Sequence, residues 1–396
     1  MISVNEAKSL TEENSLVLEP TEVLLYEATG KIITSDIYSN TDMPPFNQSS
    51  MDGYGFRYSD WNHQIPLEII DEIPAGVFSE RKLLPNTAVR IFTGAPVPEG
   101  CDTVVMQEKV KVIQNKVYIN DELITEGKNV RLQGAQTAKG SIAVTAGTKI
   151  TAGVAGYLAG LGVEKVSVYR YPKICIITTG KELTPPGQLL KAGKVYECNS
   201  YTLNAALREI NCEPVTMITA DDNEAEITNV IETNLLLCDI IIVSGGVSVG
   251  DYDFVAKAFD NCGVKCIFHK VKQKPGKPIY FGKKNNTLVF GLPGNPSALL
   301  TCYHEYIFPS IMKMTGHIPQ KSDKLILPLA STYSKKEGLT YFLQGKIKGS
   351  QVFPFLVQES FQMSSFASAD CIIQIDEEVT EVKEGSLVEI HILNQY

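Results

Sequence analysis

The sequence predicts a multidomain α/β protein in which an α/β/α region is flanked by two β-rich regions. Its 396 residues exceed the usual size of one domain. Between residues 172 and 316, apolar runs typical of buried strands alternate with segments of helical periodicity, as in successive βαβ units. Residues 44–137 contain short alternating β runs with many Pro and Gly residues, and short strand-like runs return after residue 316. We therefore expect several hydrophobic cores.

The expected domain boundaries follow these changes in composition. Residues 1–43 and 138–171 flank the β-rich segment, so we expect them to form one elongated first domain. The small β domain of residues 44–137 would be inserted into it. Residues 172–316 would form the α/β/α domain, and residues 317–396 a C-terminal β-barrel.

The composition is that of an ordinary globular protein without an excess of basic charge. The chain is 44% hydrophobic and 20% charged, with a net charge of -9, which argues against a general nucleic-acid binder. The first segment, MISVNEAKSLTEEN, is polar and acidic, and no run of about 18 apolar residues occurs, so we expect a cytoplasmic protein that does not bind membranes. The nine cysteines form no CxxC pair, which favours reduced thiols over a zinc site.

Four loops of the α/β/α domain are predicted to converge at one edge of its sheet. Ligands of such mostly parallel sheets bind at the carboxyl ends of the strands. Those ends carry the polar or glycine-rich sequences TTGKEL, TADDNE, SGGVSVGDYD and GLPGNP. We expect Asn199 to cap the helix after the first of these strands. The convergence of the loops indicates an active-site crevice.

The SGGVSVGDYD loop, residues 244–253, favours an anionic ligand. Paired glycines allow backbone N–H groups to approach an anion, and the following helix adds its positive end. The spacing differs from that of GxGxxG and Walker A loops, and a plain strand-to-helix turn is the alternative. The residues expected to bind the ligand are Gly245, Gly246, Ser248 and Gly250.

Lysines and acids beside these loops are suited to a phosphate or another oxyanion. Lys270, Lys272 and Lys274 of HKVKQKPGKP would share one face of an extended strand, with a solvated basic edge as the alternative. Glu182 and Asp221 lie at strand ends, where carboxylates and a phosphate can share Mg²⁺, although single acids there are also helix caps.

Rigid, proline-rich turns carry the remaining candidate residues. GLPGNPSA places Pro293, Gly294 and Pro296 at a helix start, for which a simple N-terminal cap is the alternative function. In the β domain, PPFNQSSMDGYGF contains Asp52, and RIFTGAPVPEGCDTVVMQE contains Thr93 and Glu108. Rigid loops with isolated polar groups often line functional sites, but the pattern alone does not assign their role.

Six motifs, in this order, resemble those of the molybdopterin molybdenumtransferases, the MoeA family that includes the E domain of gephyrin. They are PPFNQSSMDGYGF, RIFTGAPVPEGCDTVVMQE, TTGKEL, SGGVSVGDYD, KPGKP and GLPGNP. The resemblance covers essentially the whole chain and implies an elongated homodimer of four-domain subunits with a MogA-like third domain. It also implies an active cleft between the third domain of one subunit and the β domain of the other.

The resemblance implies insertion of molybdenum from molybdate into adenylated molybdopterin, with release of AMP and with Mg²⁺ as cofactor. The pterin dithiolene binds the metal, so no protein nucleophile is required. The implied catalytic residues are Asp52, Thr93, Glu182, Asp221, Asp253, Lys270 and Lys274. The implied metal ligands are Glu182, Asp221 and Asp253. The implied substrate-binding residues are Gly245, Gly246, Ser248, Gly250, Pro293, Gly294, Pro296, Arg131 and Glu108.

The chain departs from the family pattern in two places. Gln136 stands where an acid usually follows Gly-Ala, and Glu359 and Ser360 replace a common Gly-Ser. Two other functions stay open. One is adenylyl transfer to molybdopterin by a MogA-type enzyme, which the β-domain motifs disfavour, and the other is a non-catalytic scaffold of the same fold. A MogA-type adenylyltransferase is also a candidate partner.

Overall fold

The computed structural model describes residues 1–62, 65–221, 223–246, 254–317, 325–355 and 359–393. The chain forms two compact units. The first unit consists of Met1–Thr21, Gly30–Ile32 and Val168–Tyr396. The second unit consists of Glu22–Thr29 and Ile33–Ser167.

A six-stranded sheet forms the centre of the first unit. In spatial order its strands are Thr216–Ala220, Ile174–Thr179, Ile240–Ser244, Thr287–Leu292, Tyr280–Lys284 and Lys265–His269. The first four strands pair in parallel, whereas the last two pairings are antiparallel. The second and third strands are buried along their whole length, as expected for parallel strands covered on both faces.

Helices cover both faces of this sheet. Their bounds are Val4–Asn14, Asn199–Glu209, Glu224–Leu235, Phe254–Asn261, Pro296–Cys302 and Phe308–Met314, with a π-helical turn at Tyr303–Ile307. Ile176 packs in one core with Leu203, whereas its neighbour Ile177 packs in another core with Ile227. Because successive strand residues point to opposite faces, these two cores confirm the predicted α/β/α arrangement. None of the described helices is long and apolar enough to cross a membrane.

The predicted lysine strand is wrong. The strand Lys265–His269 ends before Lys270, whose φ of 71° turns the backbone out of the extended conformation. Lys270, Lys272 and Lys274 therefore do not alternate along one strand. Gln273–Lys274 instead pairs in parallel with Thr340–Lys348.

The C-terminal part of the first unit forms a second sheet. Its strands, in spatial order, are Gln273–Lys274, Thr340–Lys348, Cys371–Ile375, Leu387–Ile392 and Leu325–Pro328, and Gln351–Pro354 also pairs with Thr340–Lys348. Leu343, Ile373 and Ile390 lie in the core of this region. A short helix, Met363–Phe366, precedes the strand Cys371–Ile375. The predicted C-terminal β structure is present, and its closure into a barrel stays a prediction.

A six-stranded sheet also forms the centre of the second unit. Its spatial order is Thr103–Met106, Gly53–Phe56, Thr87–Ile91, Leu67–Ile73, Lys116–Ile119 and Val110–Ile113. The pair Leu67–Ile73 and Thr87–Ile91 is parallel, and the other pairs are antiparallel. The helix Ala152–Gly160 begins after its cap, Thr151, and the short strands Gln48–Ser49 and Val130–Arg131 pair with each other. These strands agree with the small β region expected there.

Candidate active site

A cavity of about 660 Å³ lies at the carboxyl ends of the central parallel strands of the first unit. Three of the four predicted loops meet there, those that contain TTGKEL, the start of SGGVSVGDYD, and GLPGNP. From these loops the lining includes Thr178, Thr179, Gly180, Glu182, Leu183, Ser244, Gly245, Gly246, Pro293, Gly294, Asn295 and Pro296. The rest of the described lining comprises Val195, Tyr196, Glu197, Cys198, Asn199, Pro278 and Phe361.

The side chain of Asn199 connects two of these loops. Its Nδ2 donates to the hydroxyl of Ser244 at 2.9 Å and to the carbonyl of Gly294 at 2.8 Å. The prediction that Asn199 caps the helix is wrong, because it is the first helical residue and Cys198 precedes it. Asparagine at a helix start is usually a cap, so the local pattern did not reveal this role.

Gly245 and Gly246 shape the cavity floor through close packing. Their φ angles are 95° and 64°, a region that favours glycine. A Cβ on Gly245 would lie 2.5 Å from the carbonyl oxygen of Thr179, and one on Gly246 would lie 2.7 Å from Cγ2 of Val255. The N–H of Gly245 donates to the carbonyl of Leu292 at 3.2 Å. The Gly245 amide is therefore already paired within the protein, and phosphate binding by the amides of this loop stays a prediction.

The hydroxyl of Thr179 is buried at the end of the strand Ile174–Thr179. The residue is 5% exposed and lines the cavity. Its Oγ1 has no hydrogen-bond partner among the residues that the structure describes. A buried hydroxyl without a partner costs about 1–3 kcal/mol. A bound oxyanion would satisfy this group, which the sequence analysis did not single out.

Only one of the predicted metal ligands lines the described part of the cavity. The carboxylate of Glu182 lies over Gly180, since a Cβ on this glycine would be 2.8 Å from Oε1. Asp221 is exposed, is not among the described lining residues, and donates its backbone N–H to Glu226 Oε1 at 3.1 Å. The predicted residues Ser248, Gly250 and Asp253 lie outside the described residues.

No group of three or more His, Cys, Asp or Glu side chains suited to a metal occurs in the described part of the chain. Among the predicted metal ligands, Glu182 is thus the one described residue whose carboxylate lines the cavity. One or two carboxylates together with substrate phosphates are a common arrangement for Mg²⁺. The Glu182 carboxylate is therefore suited to bind Mg²⁺ together with a substrate phosphate.

The predicted lysines are not among the described lining residues of this cavity. Nζ of Lys274 lies 5.4 Å from the ring centre of Tyr341. Nζ of Lys272 forms an ion pair with Glu377 at 3.3 Å. The described contribution of the HKVKQKPGKP stretch to the lining is Pro278, the residue that ends it.

A polar cluster in the second unit brings Asp52 and Thr93 together. The backbone N–H of Thr93 donates to Asp52 Oδ1 at 2.8 Å, and its hydroxyl donates to the same oxygen at 2.9 Å. These two hydrogen bonds, with a smaller contribution from the positive charge of Arg90, lower the pKa of the Asp52 carboxyl. Asp52 is therefore a fixed, ionised acceptor at neutral pH.

Arg90 extends this cluster to Glu108 through Gln107. Its Nη2 donates to Gln107 Oε1 at 2.6 Å, and Gln107 Nε2 donates to Glu108 Oε1 at 3.1 Å. The guanidinium also lies 4.8 Å from the ring centre of Phe92. Sequence reasoning missed Arg90, although it belongs to the quoted motif RIFTGAP. The signal that could have found it is an arginine in the same motif as Thr93 and Glu108.

The remaining predicted residue of this unit, Arg131, is exposed in a short strand. Its Cα pairs with that of Gln48, which also forms a bridge with Pro96. Gln136, at the first departure from the family pattern, donates its backbone N–H to the carbonyl of Met43 at 2.9 Å.

Comparisons with known proteins agree with this arrangement. Residues 2–162 match the profile described as MoeA N-terminal region, domains I and II. Residues 175–313 match a probable molybdopterin binding domain, and residues 327–393 match the MoeA C-terminal region, domain IV.

Two relatives match over most of this chain. A molybdopterin molybdenumtransferase of Haemophilus influenzae is 33% identical, over 100% of this chain and 99% of that protein. One of Nostoc is 37% identical, over 75% of this chain and 70% of that protein. A crystal structure of the molybdopterin biosynthesis MoeA protein of Pyrococcus horikoshii covers 99% of this chain and 100% of its own, with a TM-score of 0.82 and 27% identity. The chain therefore belongs to the MoeA family, whose curated members carry the name molybdopterin molybdenumtransferase.

Proposed function

We propose that this chain inserts molybdenum from molybdate into adenylated molybdopterin and releases AMP. The observation that carries the proposal is the cavity at the carboxyl ends of the parallel strands, which is lined by the Thr179 hydroxyl, a buried group without a partner among the described residues. This position within the region that matches a molybdopterin binding domain is where open α/β sheets bind their ligands. The relatives from Haemophilus influenzae and Nostoc are named for the same activity.

The cavity residues would act on the phosphate end of the substrate. The Thr179 hydroxyl would donate to a phosphate oxygen, and its burial strengthens such a bond by excluding water. Glu182 would hold Mg²⁺, which neutralises charge on the phosphoanhydride when it is bound. Asn199 would keep the loops at Ser244 and Gly294 at a constant separation while AMP leaves.

We further infer that a homodimer completes the site with residues of the β region of a second copy. Asp52 is suited to this role because two donors from Thr93 fix its orientation and keep it ionised. Glu108, which Gln107 connects to Arg90 by hydrogen bonds, would lie on the same side of the completed site as Asp52. Lys270, Lys274 and Arg131 would supply the positive charge that molybdate requires. Asp221 and Asp253 stay candidates for the metal.

We also infer the cellular compartment and the partners of the enzyme. All nine cysteines are free thiols, which supports a reducing compartment and hence the cytoplasm. The net charge of -9 supports the absence of nucleic acid among its partners. A MogA-type adenylyltransferase, which makes the adenylated substrate, is the proposed second partner.

Reconstitution tests this function directly. The purified full chain is incubated with adenylated molybdopterin, Mg²⁺ and molybdate, and AMP release is measured. We expect molybdate-dependent release by the natural chain and by Glu209→Gln, an exposed acid at the end of the helix Asn199–Glu209. Glu182→Gln should release AMP at least about tenfold more slowly, since it lacks the charge for the cation. Synthesis of adenylated molybdopterin from ATP, without its consumption, would show the adenylyltransferase alternative instead.

A further inference from the structure

Two aromatic side chains stand exposed in the lining of the active-site cavity. Phe361 is 64% exposed and Tyr196 is 48% exposed, and both line the cavity. Leu183 and Val195 add apolar surface to the same lining. Large apolar side chains that remain in contact with water beside a polar cavity often mark a binding surface. The cavity thus combines an apolar aromatic surface with the polar floor at Thr179.

Phe361 is held by an anchored turn. Asn295 Nδ2, from the GLPGNP loop, donates to the hydroxyl of Ser360 at 2.8 Å. The backbone N–H of Ala298 donates to the carbonyl of the same serine at 3.3 Å, and that of Gln362 closes the turn on the carbonyl of Glu359 at 2.9 Å. The turn that replaces the common Gly-Ser of the family is therefore attached to the helix start beside the cavity. These hydrogen bonds anchor the backbone on both sides of Phe361, whose side chain lines the cavity.

Tyr196 is also held in place. Its hydroxyl donates to the carbonyl of Gln188 at 3.0 Å. Its strand, Val195–Tyr196, pairs in parallel with Leu183–Thr184. The polar end of the side chain is thereby occupied, which leaves the ring face as its binding surface.

We propose that Phe361 and Tyr196 form a subsite that binds a planar heteroaromatic ring of the substrate, while the phosphate end lies at the floor beside Thr179. The inference rests on the proposed function, because adenylated molybdopterin carries two such rings, adenine and pterin. Aromatic side chains stack on flat heterocycles of either kind, since each has a π face. A volume of about 660 Å³ is in the range of small-molecule sites, so one cavity can accept a ring and a phosphate together.

Binding to the full chain tests this subsite with three probes. Calorimetric titration would use AMP, which has the adenine ring; pterin, which has the other ring; and ribose 5-phosphate, which has neither. The variants are Phe361→Leu and Tyr196→Leu, with Phe361→Trp to restore an aromatic face. The matched control is Phe353→Leu, a 36% exposed phenylalanine of the strand Gln351–Pro354 that is not among the described lining residues.

We expect the two leucine variants to weaken binding of one ring probe about tenfold, and Phe361→Trp to restore it. Ribose 5-phosphate should bind the variants as it binds the natural chain, and Phe353→Leu should change nothing. Loss confined to AMP assigns the subsite to adenine, and loss confined to pterin assigns it to pterin. The subsite is wrong if both leucine variants bind AMP and pterin as tightly as the natural chain does, or if the natural chain binds neither probe. It is also wrong if the leucine variants lose affinity for ribose 5-phosphate as much as for the ring probes.

AMP release from adenylated molybdopterin separates this inference from the proposed function. If Phe361→Leu weakens binding of a ring probe but the natural chain releases no AMP, the subsite stands and the proposed function is wrong. Normal AMP release at limiting substrate by Phe361→Leu and Tyr196→Leu would retain the function and remove the subsite.

Discussion

Thr93 holds Asp52 through two hydrogen bonds to a single carboxylate oxygen. The backbone N–H and the hydroxyl reach Asp52 Oδ1 at 2.8 and 2.9 Å. The next residue, Gly53, packs so closely that a Cβ would lie 1.9 Å from the carbonyl oxygen of Val105. The carboxylate is therefore fixed both by its own partners and by the strand that begins after it.

Replacement of Asp52 by alanine should abolish molybdenum insertion. The variant lacks the ionised acceptor but keeps the strand Gly53–Phe56, so we expect AMP release to fall by about two orders of magnitude or more. The proposed oligomeric state, measured by sedimentation, should not change. Glu72→Ala, an exposed acid of the strand Leu67–Ile73, is the matched control. Normal turnover by Asp52→Ala would remove this residue from the site.

Replacement of Thr93 by valine should shift the pH dependence of activity. The backbone donor remains but the hydroxyl donor is lost, so the pKa of Asp52 should rise toward its usual value. Because the ionised carboxylate is the active form, the acidic limb of the pH–rate profile should move to higher pH. Thr93→Ser keeps the hydroxyl and should leave the limb in place. Identical profiles for valine and serine would contradict a role of this hydrogen bond.

Replacement of Asn199 by aspartate should impair catalysis. A carboxylate cannot donate to the carbonyl of Gly294, which now lies 2.8 Å from Nδ2, and the two oxygens would repel each other. We expect kcat/KM for AMP release to fall about tenfold or more. Asn229→Asp, at an exposed position of the helix Glu224–Leu235, controls for the added charge. Equal activity of both variants would show that the two loops do not need this connection.

Replacement of Lys274 by alanine should weaken the use of molybdate more than the binding of the pterin. Nζ of this exposed lysine lies over the ring of Tyr341, whereas the neighbouring Lys272 is already paired with Glu377. The KM for molybdate should therefore rise in Lys274→Ala and change little in Lys272→Ala, as measured by AMP release. A parallel loss of pterin affinity would contradict this division of roles.

The buried carboxylate of Glu305 predicts a pH-dependent stability. It contacts Nζ of Lys8 at 2.6 Å and Nδ1 of His391 at 2.7 Å. Burial alone would lower the pKa of His391, but the charge and hydrogen bond of Glu305 outweigh it and raise the pKa to about 9. The folded protein thus keeps this proton at pH values where the unfolded chain has lost it.

The stability from His391 is fully present below its unfolded pKa of 6.5 and is lost as the pH rises toward about 9. As the pH rises across that interval, loss of this proton should lower the free energy of unfolding by about 3 kcal/mol. His391→Gln should remove this part of the slope, as measured by urea denaturation at several pH values. Parallel pH dependences of the natural chain and the variant would exclude His391 as the source.

Much of the central fold follows from local patterns. The runs ICIITT and IIIVS are apolar over their whole length, and they are the buried strands Ile174–Thr179 and Ile240–Ser244. Leu203 and Leu207, one helical turn apart, face the same core. The lysine stretch failed as a strand because alternation assumes an extended backbone, and Lys270 leaves that conformation with a φ of 71°.

The candidate site was predicted only in part, because sequence patterns report on neighbouring residues and not on contacts between distant ones. Strand ends and turn residues are readable from sequence, so Glu182, Pro293 and Pro296 were assigned to loops that do line the cavity. Hydrogen-bond partners distant along the chain were not readable. Asn199 was assigned to a helix cap, yet it binds Ser244 and Gly294, because an amide can satisfy either geometry.

The sequence by itself determined the order of strands and helices and the polar residues at the strand ends, since periodicity and turn chemistry act over a few residues. Only the tertiary structure decided which of those polar groups are already satisfied. The amide of Gly245 is bonded to Leu292, whereas the hydroxyl of Thr179 is buried without a described partner. This difference arises because burial and hydrogen bonding depend on packing between distant segments, which pairs the Gly245 amide and leaves the Thr179 hydroxyl without a partner among the described residues.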